Sequence, residues 1–266
     1  MDDLIKRAAG DIAGSNYAIA LTGAGISTES GISDFRGPQG IWTKNPEAER
    51  RAYRSWEEFS ADPKEWWRNS FSSKRQFSLD NLEDAQPNKG HYALMELEQI
   101  GILKWTITQN IDSLHEKAGT NNLLEFHGSV AKLRCISCNT RYRKEEFDFQ
   151  QLFEEDKFPP LCPNCQGIIK TDGVFFGEPI PSDVAEQSFV EASKCDLMLI
   201  CGTSAVVFPF ANLPRIARQA GATIIEINAE PTPLTEDMIS SYLIRGQIGE
   251  ILPRLVDEIK KIKGLS

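Results

Sequence analysis

The stretch Ala18–Trp42, A-I-A-L-T-G-A-G-I-S-T-E-S-G-I-S-D-F-R-G-P-Q-G-I-W, decides how the rest of the chain is read. It opens with an apolar run, Ala18 to Leu21, the length of one buried strand. The run breaks into Thr22-Gly23-Ala24-Gly25-Ile26-Ser27. A strand feeding a glycine-rich turn brings backbone N–H groups against a pyrophosphate, because glycine turns tightly and leaves no Cβ in a ligand's way. The dinucleotide fingerprint asks for a third glycine where this chain has Thr28, so on these residues alone Gly23-x-Gly25 is either a phosphate cradle or a plain tight turn. The next segment, Ser30-Gly31-Ile32-Ser33-Asp34-Phe35-Arg36-Gly37, holds one aromatic, one acid and one guanidinium. Asp34 and Arg36 suit a polar ligand; a solvated turn with a pinned Phe35 is the other reading.

Outward from this stretch the chain alternates. Residues 2–14 read as a helix with Leu4, Ile5, Ala8, Ala9 and Ile12 on one face and Gly14 as its stop. Pro87–Ile100 is a second amphipathic helix, in which His91 reads as structural. The strand Ile102–Ile107 runs into Thr108-Gln109-Asn110-Ile111-Asp112, and Leu123–Phe126 into His127-Gly128. Asp196–Ile200 ends at Cys201-Gly202-Thr203-Ser204, and Thr223–Ile227 at Asn228-Ala229-Glu230. Strands that end in Gly, Ser, Thr or Asn with helices between them predict an α/β fold, a doubly wound parallel, Rossmann-like sheet whose ligands collect at the strands' carboxyl ends.

Two excursions interrupt the alternation. Residues 43–86 are charged, with Trp56, Phe59, Trp66, Trp67 and Phe71 at roughly helical spacing, and read as a helical module packing its aromatics; Asp62-Pro63 fits a helix start. Residues 129–172 carry Cys135-Ile136-Ser137-Cys138 and Cys162-Pro163-Asn164-Cys165, two C-x-x-C knuckles that read as one tetrahedral four-cysteine zinc site. With all four thiolates engaged the ion is structural, since a catalytic zinc keeps an open position. Lys144–Pro160 reads as a charged loop on the module's rim. The two excursions are expected to form one small lobe beside a dinucleotide-binding domain made of 1–42, 87–128 and 173–266, with the substrate cleft between the lobes.

Composition bounds the rest. A chain of 266 residues fits one large domain with a smaller insert, and 41 % hydrophobic with 25 % charged residues is ordinary for a globular protein. No apolar run reaches the roughly 20 residues of a membrane span, and Met1-Asp2-Asp3-Leu4 does not resemble a signal peptide, so a cytoplasmic location with no membrane partner is expected. A net charge of −9 argues against a nucleic-acid surface. Cys195 and Cys201, outside the knuckles, read as small buried residues.

Taken in order, these motifs resemble the sirtuins, NAD-dependent protein-lysine deacylases, from Ala18 to about Leu255. The resemblance rests on Gly23–Ser27, Gly31–Gly37, Thr108–Asp112 with Leu114-His115, His127-Gly128, the two knuckles, and Gly202-Thr203-Ser204 with Val206-Val207-Phe208-Pro209; Val174-Phe175-Phe176-Gly177-Glu178 and Ile227-Asn228 support it. It implies an enzyme with NAD as co-substrate and one structural zinc ion. NAD would contact Gly23, Ala24, Gly25, Ile26, Ser27, Glu29, Ile32, Asp34, Phe35, Arg36, Trp42, Gln109, Asn110, Ile111 and Asp112. Gly202, Thr203, Ser204, Asn228, Ala229, Glu230 and Ile248 would hold its adenosine half. Asn110 and Asp112 would fix the nicotinamide carboxamide while the acyl oxygen attacks C1′ of the ribose. His127 would act as the general base on a ribose hydroxyl. An acyl-lysine peptide would add as a strand along Val174, Phe176, Gly177 and Glu178 on one side and Val207 and Phe208 on the other. Only the resemblance raises His127 to a catalytic role.

Departures from the family pattern are Ser33 where many members have proline, Thr171-Asp172-Gly173 before Val174, and Phe208 for the usual tyrosine. The Tyr-x-x-Arg pair of members that remove acidic acyl groups aligns with Ser70 and Ser73, so weak activity on succinyl or malonyl groups is expected. Mono-ADP-ribosyl transfer from NAD, a non-enzymatic zinc-ribbon binding module and a Rossmann dehydrogenase are the competing readings; the last two fit poorly with the acidic charge and the missing third glycine.

Overall fold

A computed structural model of the chain describes residues 1–35, 37, 40–72, 82 and 84–265. Its strands are β1 (Ala18–Thr22), β2 (Leu103–Thr108), β3 (Leu123–Glu125), β4 (Lys132–Cys135), β5 (Arg141–Arg143), β6 (Ile169–Thr171), β7 (Leu197–Cys201), β8 (Thr223–Asn228) and β9 (Tyr242–Arg245). The α-helices are α1 (Asp2–Gly14), α2 (Ala24–Ser27), α3 (Ile41–Lys44), α4 (Pro46–Ala61), α5 (Pro63–Ser72), α6 (Lys89–Gln99), α7 (Leu114–Ala118), α8 (Phe149–Glu154), α9 (Ser182–Lys194), α10 (Asn212–Gln219), α11 (Pro233–Glu236) and α12 (Ile248–Lys263).

Six strands form one parallel sheet in the order β3-β2-β1-β7-β8-β9. Numbered within the sheet alone this is 3-2-1-4-5-6, the doubly wound order of dinucleotide-binding folds. Both faces are covered, as an all-parallel sheet requires. Alternate residues sort to opposite cores: Ala18 and Ala20, Leu197 and Leu199, Ile225 and Ile227 face the core under α1, α6 and α12. Ile19 and Leu21, Met198 and Ile200, and Ile224 face the core under α9 and α10, where Cys195 is also buried. The near-continuous apolar runs of the central strands follow from this two-sided burial.

A second sheet, order β5-β4-β6 and antiparallel throughout, carries the four knuckle cysteines. Its core joins the helical residues Phe59 and Trp67 to Leu133, Cys135, Phe158, Cys162 and Ile169. The Trp67 indole N–H donates to the Ile169 carbonyl at 2.9 Å, so α5 docks on β6 by a hydrogen bond as well as by apolar contact. Asp62 caps α5 by accepting from the Glu65 N–H at 2.9 Å, with Pro63 in the first turn.

Lys144–Pro160 departs from the charged rim loop expected of it. The segment contains α8, and Phe149 and Phe158 stack on Trp67 with ring centroids 5.4 and 5.6 Å away. Phe149, Phe153 and Phe158 are spaced to reach α5, where Phe158 is buried and the other two are half-buried, while the charged residues between them stay at the surface.

Candidate active site

β1 and β7 are adjacent strands whose connections leave in opposite directions, so a crevice opens at their carboxyl ends. The turn after each strand is glycine-rich, and the two turns touch. The Gly25 N–H donates to the Gly202 carbonyl at 2.8 Å, and the Gly23 N–H to that of Cys201 at 3.3 Å. A Cβ on Gly23 would lie 2.6 Å from Thr203 Cβ, and one on Gly25 2.7 Å from Gly202 Cα. Gly202 itself has φ +65°, and its Cβ would fall 2.3 Å from the Ile26 nitrogen. These glycines are therefore demanded by the approach of two backbones as much as by ligand clearance.

A polar knot closes the floor of the crevice. The Ser27 hydroxyl donates to Asp112 Oδ2 at 2.7 Å, and the Asn110 amide donates to Ser27 Oγ at 3.0 Å and to the Gly23 carbonyl at 3.1 Å. Asp112 is 5 % exposed and also accepts from the Leu114 N–H at 2.9 Å. Burial raises its carboxyl above the ordinary range, against the hydrogen bonds that favour the ionised form. Asn88 fastens α6 to the same turn, its amide donating to the Ile26 carbonyl at 2.7 Å and to Ser30 Oγ at 2.9 Å.

His127 follows β3 at the rim of this knot, its ring packed beside Phe126 and Phe210 with centroids 5.5 and 6.3 Å away. Its Nδ1 lies 3.2 Å from the Gln109 carbonyl oxygen. A carbonyl only accepts, so Nδ1 carries the proton and Nε2 is the free lone pair. Burial lowers the imidazole below its usual range, which keeps Nε2 unprotonated near neutral pH. Gln109 also spans the crevice: its amide donates to Thr203 Oγ1 at 2.6 Å.

On the β8 side, Asn228 is buried and donates to the Thr203 carbonyl at 3.3 Å and to Glu226 at 3.2 Å. Ile248 is buried against Gly90 and Gly202. Ser204 is exposed, and so are Ala229 and Glu230, which are pinned by Arg245 through the Ala229 carbonyl at 2.8 Å and the Glu230 carboxylate. Arg245, at the end of β9, escapes sequence reasoning because no motif marks it. Glu29 accepts from the Gly249 N–H at 2.8 Å, so its carboxylate engages the first turn of α12.

The loop after Ile32 is closed by Asp34, which accepts from the Gly37 N–H at 3.1 Å. Arg36 lies outside the described residues, as does Ser73. Phe35 packs on Trp42 at 4.8 Å, Trp42 on Phe176 at 5.4 Å, and Phe176 on Tyr53 at 4.6 Å. Tyr53 of α4 is missed by the sequence reading; it is 52 % exposed and extends the aromatic wall that Phe35 and Phe176 begin. Phe208 is 66 % exposed and Val206 42 %, which leaves an apolar patch at the surface after β7.

The four cysteine Sγ atoms lie within 4.8 Å of one another, with Cys135–Cys165 at 3.5 Å and Cys138–Cys162 at 3.7 Å. Four thiolates around a tetrahedral ion at ~2.3 Å stand roughly 3.8 Å apart, so the cluster is positioned to bind one zinc ion with no open position.

A doubly wound sheet with a glycine turn at its switch point, a polar knot below it and a four-cysteine ribbon beside it defines a dinucleotide-binding α/β protein with a structural metal site. The Sir2 family profile matches residues 23–209, and the chain belongs to that family. An NAD-dependent protein deacylase of Pyrococcus abyssi is 41 % identical over 97 % of this chain and 99 % of its own. A Sir2 homologue solved in complex with ADP-ribose superposes with a TM-score of 0.78 at 39 % identity, covering 100 % of this chain and 99 % of its own. A Sir2 structure holding a deacetylated p53 peptide and 3′-O-acetyl ADP-ribose gives 0.75 at 34 % identity, over 98 % and 99 %.

Proposed function

We propose that this protein is an NAD-dependent protein-lysine deacylase, which passes the acyl group of an acyl-lysine peptide to ADP-ribose and releases nicotinamide. NAD, when bound, supplies the acceptor sugar and the leaving group; the chain's own residues bind, orient and move a proton. The single observation that carries the reading is His127 at the mouth of the switch-point crevice, with Nδ1 on the Gln109 carbonyl and Nε2 free to take a proton from a ribose hydroxyl.

In this reading the turn Gly23–Ser27 receives the pyrophosphate at its Ala24 N–H, its Gly23 and Gly25 N–H groups being held by the Cys201 and Gly202 carbonyls, and Asn110 and Asp112 orient the carboxamide. Glu29, Ile32, Asp34, Phe35, Arg36, Trp42, Gln109 and Ile111 border the ribose and phosphates. Gly202, Thr203, Ser204, Asn228, Ala229, Glu230 and Ile248 border the adenosine. The peptide backbone lies between Val174–Glu178 and Val207–Phe208, and Phe35, Phe176 and Tyr53 flank the acyl-lysine side chain. The domain division 1–42, 87–128 and 173–266 against 43–86 and 129–172 belongs to the same reading and is supported by the separate ribbon core. A cytoplasmic location fits a four-thiolate site in a reducing compartment; among the described residues no helix is long and apolar enough to cross a membrane.

The test is an acetyl-lysine peptide incubated with and without NAD, following nicotinamide release and peptide mass, with a succinyl-lysine peptide alongside. NAD-dependent loss of the acetyl group, reduced at least about 100-fold in His127→Ala and faster than loss of succinyl, is the expected outcome. Nicotinamide release with ADP-ribose fixed on protein and no deacylation would move the assignment to ADP-ribosyl transfer.

A further inference from the structure

Val174–Glu178 belongs to no strand, yet its backbone is tied down from one side by buried charges. Lys170, at 0 % exposure, sends its ammonium to the carbonyls of Thr171 at 2.6 Å and Gly173 at 2.7 Å and to Glu178 Oε2 at 3.1 Å. The same Nζ stands 4.4 Å from the centroid of the Phe175 ring. Glu178 Oε2 in turn accepts from the Phe175 N–H at 2.9 Å. Arg134, next to the first knuckle cysteine on β4, bonds Glu178 at 2.5 Å and Asp172 at 3.0 Å. Asp172 Oδ2 accepts from the Ser129 N–H at 3.1 Å, and the Val174 N–H donates to the His127 carbonyl at 2.8 Å. Two cations and two carboxylates, each under 9 % exposed, thus join the zinc ribbon, the His127–Ser129 turn and the 173–178 segment.

We propose that Lys170 and Arg134 are positioning residues for the peptide substrate: through Glu178 and Asp172 they hold Val174–Glu178 in register with His127, so that peptide binding depends on this buried network. The proposal rests on the deacylase reading. The physical reason is that a lone strand edge has no ladder to fix its shape; here charge-assisted hydrogen bonds to its own backbone replace the ladder. Burial pushes the Lys170 ammonium down to about 8, against the pull of Glu178, so it remains charged at neutral pH. Among the described residues no side chain of the network bonds the Gly23–Ser27 turn, so KM for NAD is expected to change little. Removing Lys170 takes the ammonium away from the Thr171 and Gly173 carbonyls and leaves Glu178 to Arg134 alone, so the segment loses the bonds that fix its backbone.

The experiment compares wild type with Lys170→Met, Glu178→Gln and Lys170→Arg, all checked for zinc stoichiometry. It measures the Kd of an acetyl-lysine peptide by calorimetry, and KM for peptide and for NAD separately. Expected for Lys170→Met and Glu178→Gln is at least a tenfold rise in peptide Kd and KM, with KM for NAD within twofold of wild type and zinc retained. Lys170→Arg restores the cation and is expected within about threefold of wild type. If Lys170→Met fails to fold, Glu178→Gln, which keeps the shape and removes the charge, decides alone. Unchanged peptide affinity in the folded variants, or equal losses for peptide and NAD, would overturn the proposal. Absence of deacylation by the wild type would instead count against the deacylase reading, while the calorimetric Kd still reports on the network.

Discussion

The proposed base, His127, is held by one hydrogen bond, from its Nδ1–H to a backbone carbonyl. The Gln109 carbonyl fixes its tautomer, while the Gln109 side chain reaches across the crevice to Thr203. A base must be neutral to accept a proton, and burial disfavours the imidazolium. The acid limb of kcat/KM is therefore expected below the 6.5 of a free imidazole: activity persists as pH falls through 6.5 and is lost only below the folded value. A pH–rate profile with a midpoint above 6.5 would contradict the burial argument. The residues His127, Asn110 and Asp112 were nameable from sequence, but the role of Gln109 was not, because a carbonyl acceptor carries no residue signature. Tyr53 was hidden for a related reason. Its spacing from Trp56 reads as one more ring of the packed stripe, whereas its ring lies against Phe176.

At the scale of elements, the zinc ribbon shows how little core a small sheet has. Its buried cluster includes Cys135 and Cys162 of the metal-binding set, so metal binding and folding of β4–β6 are expected to be coupled. Trp67 reports on that process directly, since its indole bonds β6 and its ring packs against Phe149 and Phe158, which also touch each other. One zinc per chain is expected by elemental analysis. Stripping it with a strong chelator is expected to change tryptophan emission in the wild type more than in Trp67→Phe, while the far-ultraviolet signal of the six-stranded sheet, which has its own cores, is largely kept. Chelation without a fluorescence change would show that the ribbon folds without metal. The knuckles were the plainest local signal in the chain, because a ligand set is written in residue type and short spacing. The helix α8 was not, because the ring contacts of its Phe149 and Phe153 are with Trp67 and Phe71 of α5, far away in sequence.

For the molecule as a whole, all three histidines are held neutral by burial. His91 of α6 and His115 of α7 meet edge to face with ring centroids 4.8 Å apart, and burial lowers His91 to about 4. An unfolded histidine takes up its proton near 6.5, so between that pH and about 4 the unfolded chain binds more protons than the folded one. Stability is thus unaffected above 6.5 and falls as pH drops through this window, by about 3 kcal/mol for His91 alone. His115 adds to it, and its own protonation is further opposed by charge on His91. Against a typical total of about 5–15 kcal/mol this is a large share, and denaturant melts at pH 7, 6 and 5 check it. A stability that is flat from pH 7 to 5 would refute it; His91→Gln is expected to flatten the slope.

The sequence by itself determined the class of sheet, the family and the four-cysteine metal cluster: strand ends, glycine turns and cysteine spacing are local, and local patterns survive without coordinates. Only the tertiary structure decided why Gly23, Gly25 and Gly202 are glycines, since the clash each avoids is with a turn distant in the chain. It also decided that Lys170, Arg134, Asp172 and Glu178 form one network. Read singly these are four ordinary charges. Their pairing depends on the ribbon folding back against the His127 turn, and burial there, not residue type, makes them matter.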